Sequence, residues 1–272
     1  MNFINLVVLL LLGAVVSSQL AAAQLSREIK KTIPLDADGR LVVDTYKGSI
    51  TITTWDRAEV DISARIEADK STWESRRDEE EKVRDTEVRI EGSGREVRLK
   101  TDYTRLKRQR RSFWNIFDGD TGPLPFVHYT IKMPRRASLK IKDYKSETSV
   151  ADVKSDISLY TYKGKARLVR VEGSVEVETY KGDVRVDYTA LGKSNRFETF
   201  KGEIDIAVPR NAGFELEADL SRRGSLRSDF DVEERYRWRR DRSKEYRASV
   251  NGGGPLLRLE TYKGTYRLRE GY

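Results

Sequence analysis

Thr179-Tyr180-Lys181-Gly182-Asp183-Val184 is the stretch that decides the fold, because the chain repeats it. The shared pattern is Thr, an aromatic residue, Lys and Gly, followed by a polar residue and then by alternating apolar residues. Further copies begin at Thr45, Thr161, Thr199 and Thr261. A degenerate copy, Asp143-Tyr144-Lys145-Ser146-Glu147-Thr148, opens the central run.

The copies recur at a nearly fixed spacing. Tyr144, Tyr162 and Tyr180 are 18 residues apart (162 − 144 and 180 − 162), and Phe200 follows 20 residues later (200 − 180). Self-similarity at a period of roughly 20 residues is typical of stacked repeats. We therefore interpret each copy as one structural unit of a repetitive fold.

The residues around each copy alternate between apolar and polar. Val175, Val177 and Thr179 precede the third full phrase, with Glu176 and Glu178 between them. A period of two predicts short strands with one buried face, and Lys-Gly predicts a turn because glycine tolerates positive φ. One repeat cannot bury its own apolar face, but neighbours stacked about 4.8 Å apart can. The sequence predicts an all-β fold, a single-stranded β-solenoid (β-helix) with short coils of ~18–20 residues.

Composition narrows the class of protein. The chain has 272 residues, of which 38% are hydrophobic, a content that suits a thin repetitive core better than a large globular one. It has 52 basic and 44 acidic residues, and the charges are mostly interleaved along the predicted strands. The sequence contains no cysteine, which excludes disulfides, a lipoprotein cysteine, a thiol nucleophile and thiolate metal sites.

Residues 1–23 are predicted to be a secretory signal peptide. An apolar run is followed by small residues at Ala21 and Ala23, which fit a cleavage site before Gln24. No Lys or Arg precedes the run, so an uncleaved anchor is the alternative, although the run is shorter than the ~20 residues that span a bilayer. We expect an exported protein that is periplasmic, at the cell surface or secreted.

The mature chain, residues 24–272, is predicted to form one β-solenoid domain with two interruptions. A charged insertion covers residues 68–127, and an irregular basic segment covers residues 221–255. Within residues 24–127 we expect a turn at 36–39, a short helix or exposed loop at 70–85, and a hairpin at 88–99.

Several short motifs occur in an order that carries a family resemblance. They are Gly48-Ser49-Ile50-Thr51-Ile52 followed by Trp55-Asp56, Ile131-Lys132-Met133-Pro134, Gly182-Asp183-Val184-Arg185-Val186, Glu203-Ile204-Asp205-Ile206-Ala207-Val208-Pro209 and Gly252-Gly253-Gly254. Over nearly the whole mature chain this order resembles the bacterial "putative adhesin" domain family of unknown function. The resemblance implies an exported or membrane-tethered β-solenoid and brings no shared activity or catalytic residue. The chain departs from the family where Tyr or Phe plus Lys precede the turn glycine.

Stacking of the repeats predicts two rows of outward side chains, which form the first candidate ligand-binding site. Alternation places the aromatic residues outside, in a row of about 5 Å per step, beside a parallel row of lysines. Aromatic rows suit sugar rings or other flat ligands, and lysine rows suit phosphate or carboxylate polymers. The alternative is that the rings only stabilise the stack, with Glu147, Asp183 and Glu203 neutralising the lysines. The candidate residues are Tyr144, Lys145, Tyr162, Lys163, Tyr180, Lys181, Phe200 and Lys201.

Two stretches that combine basic and aromatic residues form a second candidate site, for a polyanion or an anionic membrane. The alternative is solvated loops whose aromatic residues cap an open end of the solenoid. An exported protein seldom meets nucleic acid, so nucleic acid is not among the expected partners. The candidates are Arg105, Lys107, Arg108, Arg110, Arg111 and Trp114 in one stretch, and Arg237, Trp238, Arg239 and Arg240 in the other.

The sequence gives little sign of catalysis. His128 is the one histidine and lies in a predicted strand, which favours a structural role. We find no G-x-S-x-G elbow and no P-loop, and the carboxylates are spread along the strands. We therefore expect a non-enzymatic protein with no cofactor and no metal site.

The prediction for function is a binding or scaffolding module of the cell envelope. The expected partner is an anionic glycan, another envelope polymer or a membrane surface. One alternative is a polysaccharide lyase or hydrolase on a β-helix scaffold, which a groove with convergent acids beside Lys or Arg would favour. Another is a purely structural protein that associates with itself through the exposed strand edges at the solenoid ends.

Overall fold

A computed structural model describes residues 25–71, 74–109, 123–236 and 243–271. Nineteen strands and two helices occupy these ranges. In chain order they are β1 (Ser26–Asp44), β2 (Lys47–Trp55), β3 (Glu59–Glu67), α1 (Arg76–Asp85), β4 (Glu87–Asp102), α2 (Thr104–Gln109), β5 (Phe126–Pro134), β6 (Ser138–Asp143), β7 (Lys145–Ala151), β8 (Ile157–Thr161), β9 (Lys165–Gly173), β10 (Val175–Thr179), β11 (Val184–Leu191), β12 (Ser194–Thr199), β13 (Glu203–Pro209), β14 (Phe214–Leu220), β15 (Ser225–Ser228), β16 (Glu233–Tyr236), β17 (Lys244–Val250), β18 (Leu256–Thr261) and β19 (Thr265–Gly271).

The strands form two parallel ladders within one continuous sheet, which confirms the all-β prediction. The first ladder has the order β4, β1, β6, β8, β10, β12, β18 and β14. The second has the order β5, β2, β7, β9, β11, β13, β19 and β15. From β6 to β13 successive strands alternate between the ladders, so one strand of each makes up a repeat.

The repeats stack in register. Thr161 pairs with Thr179, Thr179 with Thr199, and Thr199 with Thr261. Along β10, Val175, Val177 and Thr179 are buried while the two glutamates between them are exposed. The alternation that the sequence shows therefore places one face of each strand in a shared core, where each fully buried aliphatic side chain contributes roughly 1.5–3 kcal/mol.

Each repeat turns from the first ladder into the second at the repeated phrase. The Thr161 Oγ1 accepts the Gly164 N–H at 2.9 Å, and the Thr179 Oγ1 accepts the Gly182 N–H at 2.9 Å. A Cβ added at Gly182 would lie 1.8 Å from the carbonyl oxygen of Gly164. The glycine is therefore required by the close approach of stacked turns. The sequence-based expectation is that the turn glycine has positive φ. This is wrong at Gly164 and Gly182; among the glycines of the five full copies, only Gly48 has positive φ, 137°.

The ends of the ladders depart from the repeat. At one end the first half of β1 pairs antiparallel with β3, and β3 pairs antiparallel with β5. At the other end β14 pairs antiparallel with β17, and β17 with β16. The segment 221–255, predicted to be irregular, thus contains β15, β16 and β17. The last two strands of the chain, β18 and β19, lie inside their ladders, between β12 and β14 and between β13 and β15.

The insertion contains the two helices and the outer strand of the first ladder. Residues 76–85 are helical, and the Ser75 hydroxyl caps α1 by accepting the Asp78 N–H. The chain bends sharply inside β4, where Gly92 and Gly94 have positive φ and a Cβ on Gly92 would lie 2.2 Å from the Glu96 carbonyl oxygen. Residues 36–39, where a turn is expected, lie within β1 at a shift of register, since Leu35 pairs with Gly94 and Arg40 with Glu96.

Residues 1–23, which are predicted to be a signal peptide, lie outside the described residues. Among the residues described, no helix is long and apolar enough to cross a membrane.

Candidate functional site: an aromatic ridge between two rows of charge

Six rings stack along the line where the first ladder turns into the second. Neighbouring ring centroids are 4.7 to 5.0 Å apart, and the ring planes differ by 3° to 16°. The structure thus brings together the four predicted rings and adds one at each end of the row. We call this row the aromatic ridge; its members in order are Tyr46, Tyr144, Tyr162, Tyr180, Phe200 and Tyr262.

The ridge presents ring edges and hydroxyl groups, because the ring faces contact one another. Tyr162, Tyr180 and Phe200 are each 37–40% exposed, and Tyr262 at the end of the row is 51% exposed. At the opposite end Tyr103 lies edge-on to Tyr46, with centroids 6.2 Å apart. A flat ligand therefore cannot stack face to face on the inner rings, and ligand binding by the row stays a prediction. Ring edges carry partial positive charge.

A row of lysines runs beside the ridge on the side of the second ladder. Each of these side chains is exposed, and no ion pair joins any of them to a described carboxylate. Lys163 lies 5.2 Å from the ring centroid of Tyr162. Neighbouring strands are about 4.8 Å apart, so the row carries one charge per step. We call it the lysine row; its members are Lys145, Lys163, Lys181 and Lys201.

Among the described residues, none of the three carboxylates expected to neutralise the lysine row forms an ion pair with a lysine of the row. Glu203 lies 3.0 Å from Arg267, and the Asp183 Oδ1 accepts the Glu203 N–H at 3.2 Å. No contact of Glu147 with a row lysine is among the ion pairs of the described chain. The lysine row therefore remains a line of positive charge without direct counter-ions there.

The outermost copies of the phrase hold their lysines differently. Lys47 is buried, forms an ion pair with Asp69 and lies 4.2 Å from the ring centroid of Phe126. Burial acts to raise the pKa of Asp69, but hydrogen bonds from Lys47 and Ser71 outweigh it and lower the pKa. The insertion thus removes Lys47 from the lysine row. Lys263 is half-buried and lies 5.3 Å from the ring centroid of Tyr262.

A row of carboxylates flanks the ridge on the side of the first ladder. Glu178 pairs in register with Glu198, and Glu198 with Glu260. Arg196 lies 3.1 Å from Glu198 and 3.3 Å from Glu260. This carboxylate row was not predicted, although the sequence contains its signal, a Glu that precedes Thr-aromatic-Lys in three copies of the phrase.

A groove separates the carboxylate row from the ridge. Its volume is about 440 Å³, and Tyr180, Phe200 and Tyr262 form one wall. A second depression of about 600 Å³ continues it past Glu178. There Lys140 and Lys142 occupy the outer positions of the strand, so the groove changes from acidic to basic along its length.

Asp143 replaces the threonine of the phrase at the degenerate corner. Its Oδ1 accepts the Ser146 N–H at 2.9 Å and the Thr161 hydroxyl at 3.0 Å. Its Oδ2 is buried and without a hydrogen-bond partner, as are the Ser146 and Thr148 hydroxyl oxygens. Burial raises the pKa of Asp143 to about 6, although both hydrogen bonds act to lower it.

The second predicted site lies mostly outside the described residues. Arg105 is the second residue of α2, is exposed and lies 2.5 Å from Glu87. Lys107 and Arg108 lie in the same helix, whose backbone alone is described there. The other residues of this site lie outside the described ranges, and their role stays a prediction; they are Arg110, Arg111, Trp114, Arg237, Trp238, Arg239 and Arg240.

His128 has the surroundings of a structural residue. Its Nδ1 lies 2.9 Å from the Ser49 hydroxyl, and its Nε2 lies 3.8 Å from Glu67. Burial and the charge of Arg65 lower the pKa of His128. Across the described ranges, no three His, Asp or Glu side chains are grouped so that they could hold a metal ion.

Three solved structures are similar to this chain at low sequence identity. A "putative cell adhesion protein" from Clostridium sporogenes is 12% identical over 90% of this chain and 100% of that one, with a TM-score of 0.43. A "putative adhesin" from Bacteroides fragilis is 12% identical over 90% and 97%, with a TM-score of 0.40. A "putative lipid binding protein" from Parabacteroides distasonis is 9% identical over 89% and 96%, with a TM-score of 0.28.

A search of curated proteins finds no match. The family comparison does find one, and the matching segment begins in β5, includes the degenerate and the three central copies of the phrase, and ends just after β17. Residues 129–252 match the family described as Toastrack DUF4097, which confirms the predicted resemblance to an adhesin-like family of unknown function.

Proposed function

We propose that the chain is an exported β-solenoid of the cell envelope that acts as a non-enzymatic binding module. Its two parallel ladders are two walls of the solenoid, with one coil per repeat, and its lysine row binds a linear anionic polymer such as an acidic glycan. The observation that carries this proposal is the straight row of exposed lysines without ion pairs to described carboxylates.

The ladder makes the lysine row a suitable site for a polymer. Hydrogen-bonded strands hold the lysine backbones at one step per repeat, so binding orders only side chains. An anionic chain laid along the row relieves the mutual repulsion of the lysines and meets the positive edges of the adjacent rings. Binding in the groove on the other side of the ridge is disfavoured, because Glu178, Glu198 and Glu260 would repel an anion there.

The test is reversal of three charges in the row, Lys163→Glu/Lys181→Glu/Lys201→Glu. Binding to heparin and to polygalacturonate is measured by calorimetry at two salt concentrations, with neutral dextran and anionic lipid vesicles as further probes. We expect a loss of at least about tenfold in affinity for a polyanion, and weaker binding of the parent protein at the higher salt.

A matched control distinguishes the effect of the lysine row on binding from the effect of net charge. Lys30→Glu/Lys31→Glu/Lys154→Glu reverses three exposed lysines away from the row, two in β1 and one between β7 and β8, and should bind nearly as the parent does. Circular dichroism checks that both variants fold. Equal binding by the two variants would overturn the lysine-row proposal, and binding to vesicles alone would assign the row to a membrane surface.

A second candidate function is cleavage of a polysaccharide in the groove. The observation that favours it is the placement of Glu198 and Glu260 around Arg196 beside the aromatic wall. Incubation with neutral and acidic polysaccharides, followed by assays for new reducing ends and for unsaturated ends, tests it; repulsion by the groove carboxylates favours a neutral substrate. Activity that Glu198→Gln abolishes would support an enzyme, and no new ends under any condition would count against one.

A further inference from the structure

The aromatic ridge separates opposite charges at the same height along the ladders. Glu178 and Lys181 flank Tyr180, and Glu198 and Lys201 flank Phe200. No ion pair joins the carboxylate to the lysine of the same repeat in either case. Each of these repeats thus presents a glutamate on one side and a lysine on the other, with a ring edge between them; Glu198 also lies 3.1 Å from Arg196.

We propose that the ridge is a contact surface for a second copy of this chain. The two copies lie side by side with their ladders parallel, ridge against ridge. The lysine row of each copy then faces the carboxylate row of the other, and the exposed ring edges meet between them. This contact goes beyond the proposed polymer binding, because it requires the carboxylate row as well.

Symmetry determines the orientation. Consider a two-fold axis that is parallel to the direction in which the repeats stack. It exchanges the two flanks of the ridge between the copies and leaves each repeat at its own height. Lys181 of one copy then faces Glu178 of the other, and the same pairing recurs one repeat further on, between Lys201 and Glu198. A two-fold axis across the ladders would place carboxylates against carboxylates, so charge excludes the antiparallel arrangement.

The contact is confined to one half of the ridge. The repeats of Tyr180, Phe200 and Tyr262 carry Glu on one side and Lys on the other. The repeat of Tyr144 carries Lys142 and Lys145, so two copies repel each other there. Exposed ion pairs each contribute little and are screened by salt, so the association is weak and salt-dependent.

Sedimentation of the purified protein with two charge-reversed variants tests the proposal. One variant is Lys181→Glu/Lys201→Glu and the other is Glu178→Lys/Glu198→Lys. We expect the parent protein to form dimers at low salt and to lose them at high salt. Each variant alone should remain monomeric, because like charges then face each other across the contact.

The decisive sample is the equimolar mixture of the two variants. Every facing pair in a mixed dimer is again of opposite charge, so we expect dimers in the mixture at the affinity of the parent, within about threefold. The control Lys30→Glu/Lys31→Glu carries the same change in net charge as the lysine variant, and should form dimers with itself.

A parent protein that stays monomeric at low salt would overturn the proposal, as would a mixture that stays monomeric. Failure here is distinguishable from failure of polymer binding. The Glu178→Lys/Glu198→Lys variant keeps the lysine row, so it should still bind polyanions while it loses dimers.

Discussion

Asp143 shows what one substitution does to a repeated corner. Thr161 and Thr179 occupy this position in the next two copies. Each has one side-chain oxygen, which accepts the N–H of the turn glycine three residues later. Aspartate keeps that hydrogen bond but adds a second oxygen, which is buried without a partner. A buried carboxylate without full hydrogen bonding disfavours its charged form, which is why burial raises the pKa of Asp143 to about 6.

Neutralising Asp143 should therefore stabilise the protein near neutral pH. Because folding raises this pKa from 3.8, the contribution of Asp143 to the free energy of unfolding is greatest below pH 3.8 and is lost as the pH rises through about 6. We expect Asp143→Asn to raise the free energy of unfolding by about 2 kcal/mol at pH 7.5 and by less than half of that at pH 4.5. Urea unfolding of both proteins at the two pH values measures the difference, and a variant less stable than the parent at pH 7.5 would contradict this account.

At the scale of elements, the stacked rings of the aromatic ridge stabilise the edge of the first ladder along its length. Each inner ring contacts two neighbours, so its removal breaks two stacked pairs. Phe200 occupies one position without a hydroxyl group and keeps a centroid distance of 4.8 Å to Tyr180. Stability should therefore depend on the rings and little on their hydroxyl groups.

Two substitutions at one ring separate these contributions. Tyr162→Ala should lower the free energy of unfolding by roughly 1–3 kcal/mol, since each stacked pair contributes about 0.5–1.5 kcal/mol. Tyr162→Phe should change it by less than about 0.5 kcal/mol. Thermal or urea unfolding measures both, and a large loss in Tyr162→Phe would mean that the exposed hydroxyl group, rather than stacking, supports the element.

At the scale of the whole molecule, the order of strands differs from their order in the sequence. β18 lies between β12 and β14, and β19 lies between β13 and β15. After β13 the chain thus forms the outer strands β14 and β15, and only later forms β18 and β19, which lie between these outer strands and the earlier repeats. Both outer strands depend on a segment near the carboxyl end of the chain.

A cavity in β18 should weaken the strands on both sides of it. Leu259 is fully buried in β18, and we expect Leu259→Ala to cost roughly 2–5 kcal/mol in the free energy of unfolding. Hydrogen exchange of the variant should show faster exchange in β12 and in β14. The control Leu226→Ala lies in the outer strand β15, where only partial burial is lost, and should leave exchange in β12 unchanged.

The sequence predicts the repetitive part of this fold well, because a period of 18 to 20 residues with alternating polarity has few other solutions. It also places Tyr144, Tyr162, Tyr180 and Phe200 in one row. Long-range contacts were not predictable from spacing. Nothing in the order of residues shows that Asp69 takes Lys47 out of the lysine row, or that β18 enters the ladder between β12 and β14.

The interior position of the last strands has a consequence for the order of folding. β14 and β15 cannot join the ladders until β18 and β19 lie between them and the earlier repeats, and β18 and β19 are synthesised after them. The outer strands therefore remain without their parallel partners while the intervening residues, 229–255, are being made. Folding of β14 and β15 into the ladders therefore depends on contacts made late and over a long sequence separation, which slows this step relative to the stacking of the central repeats.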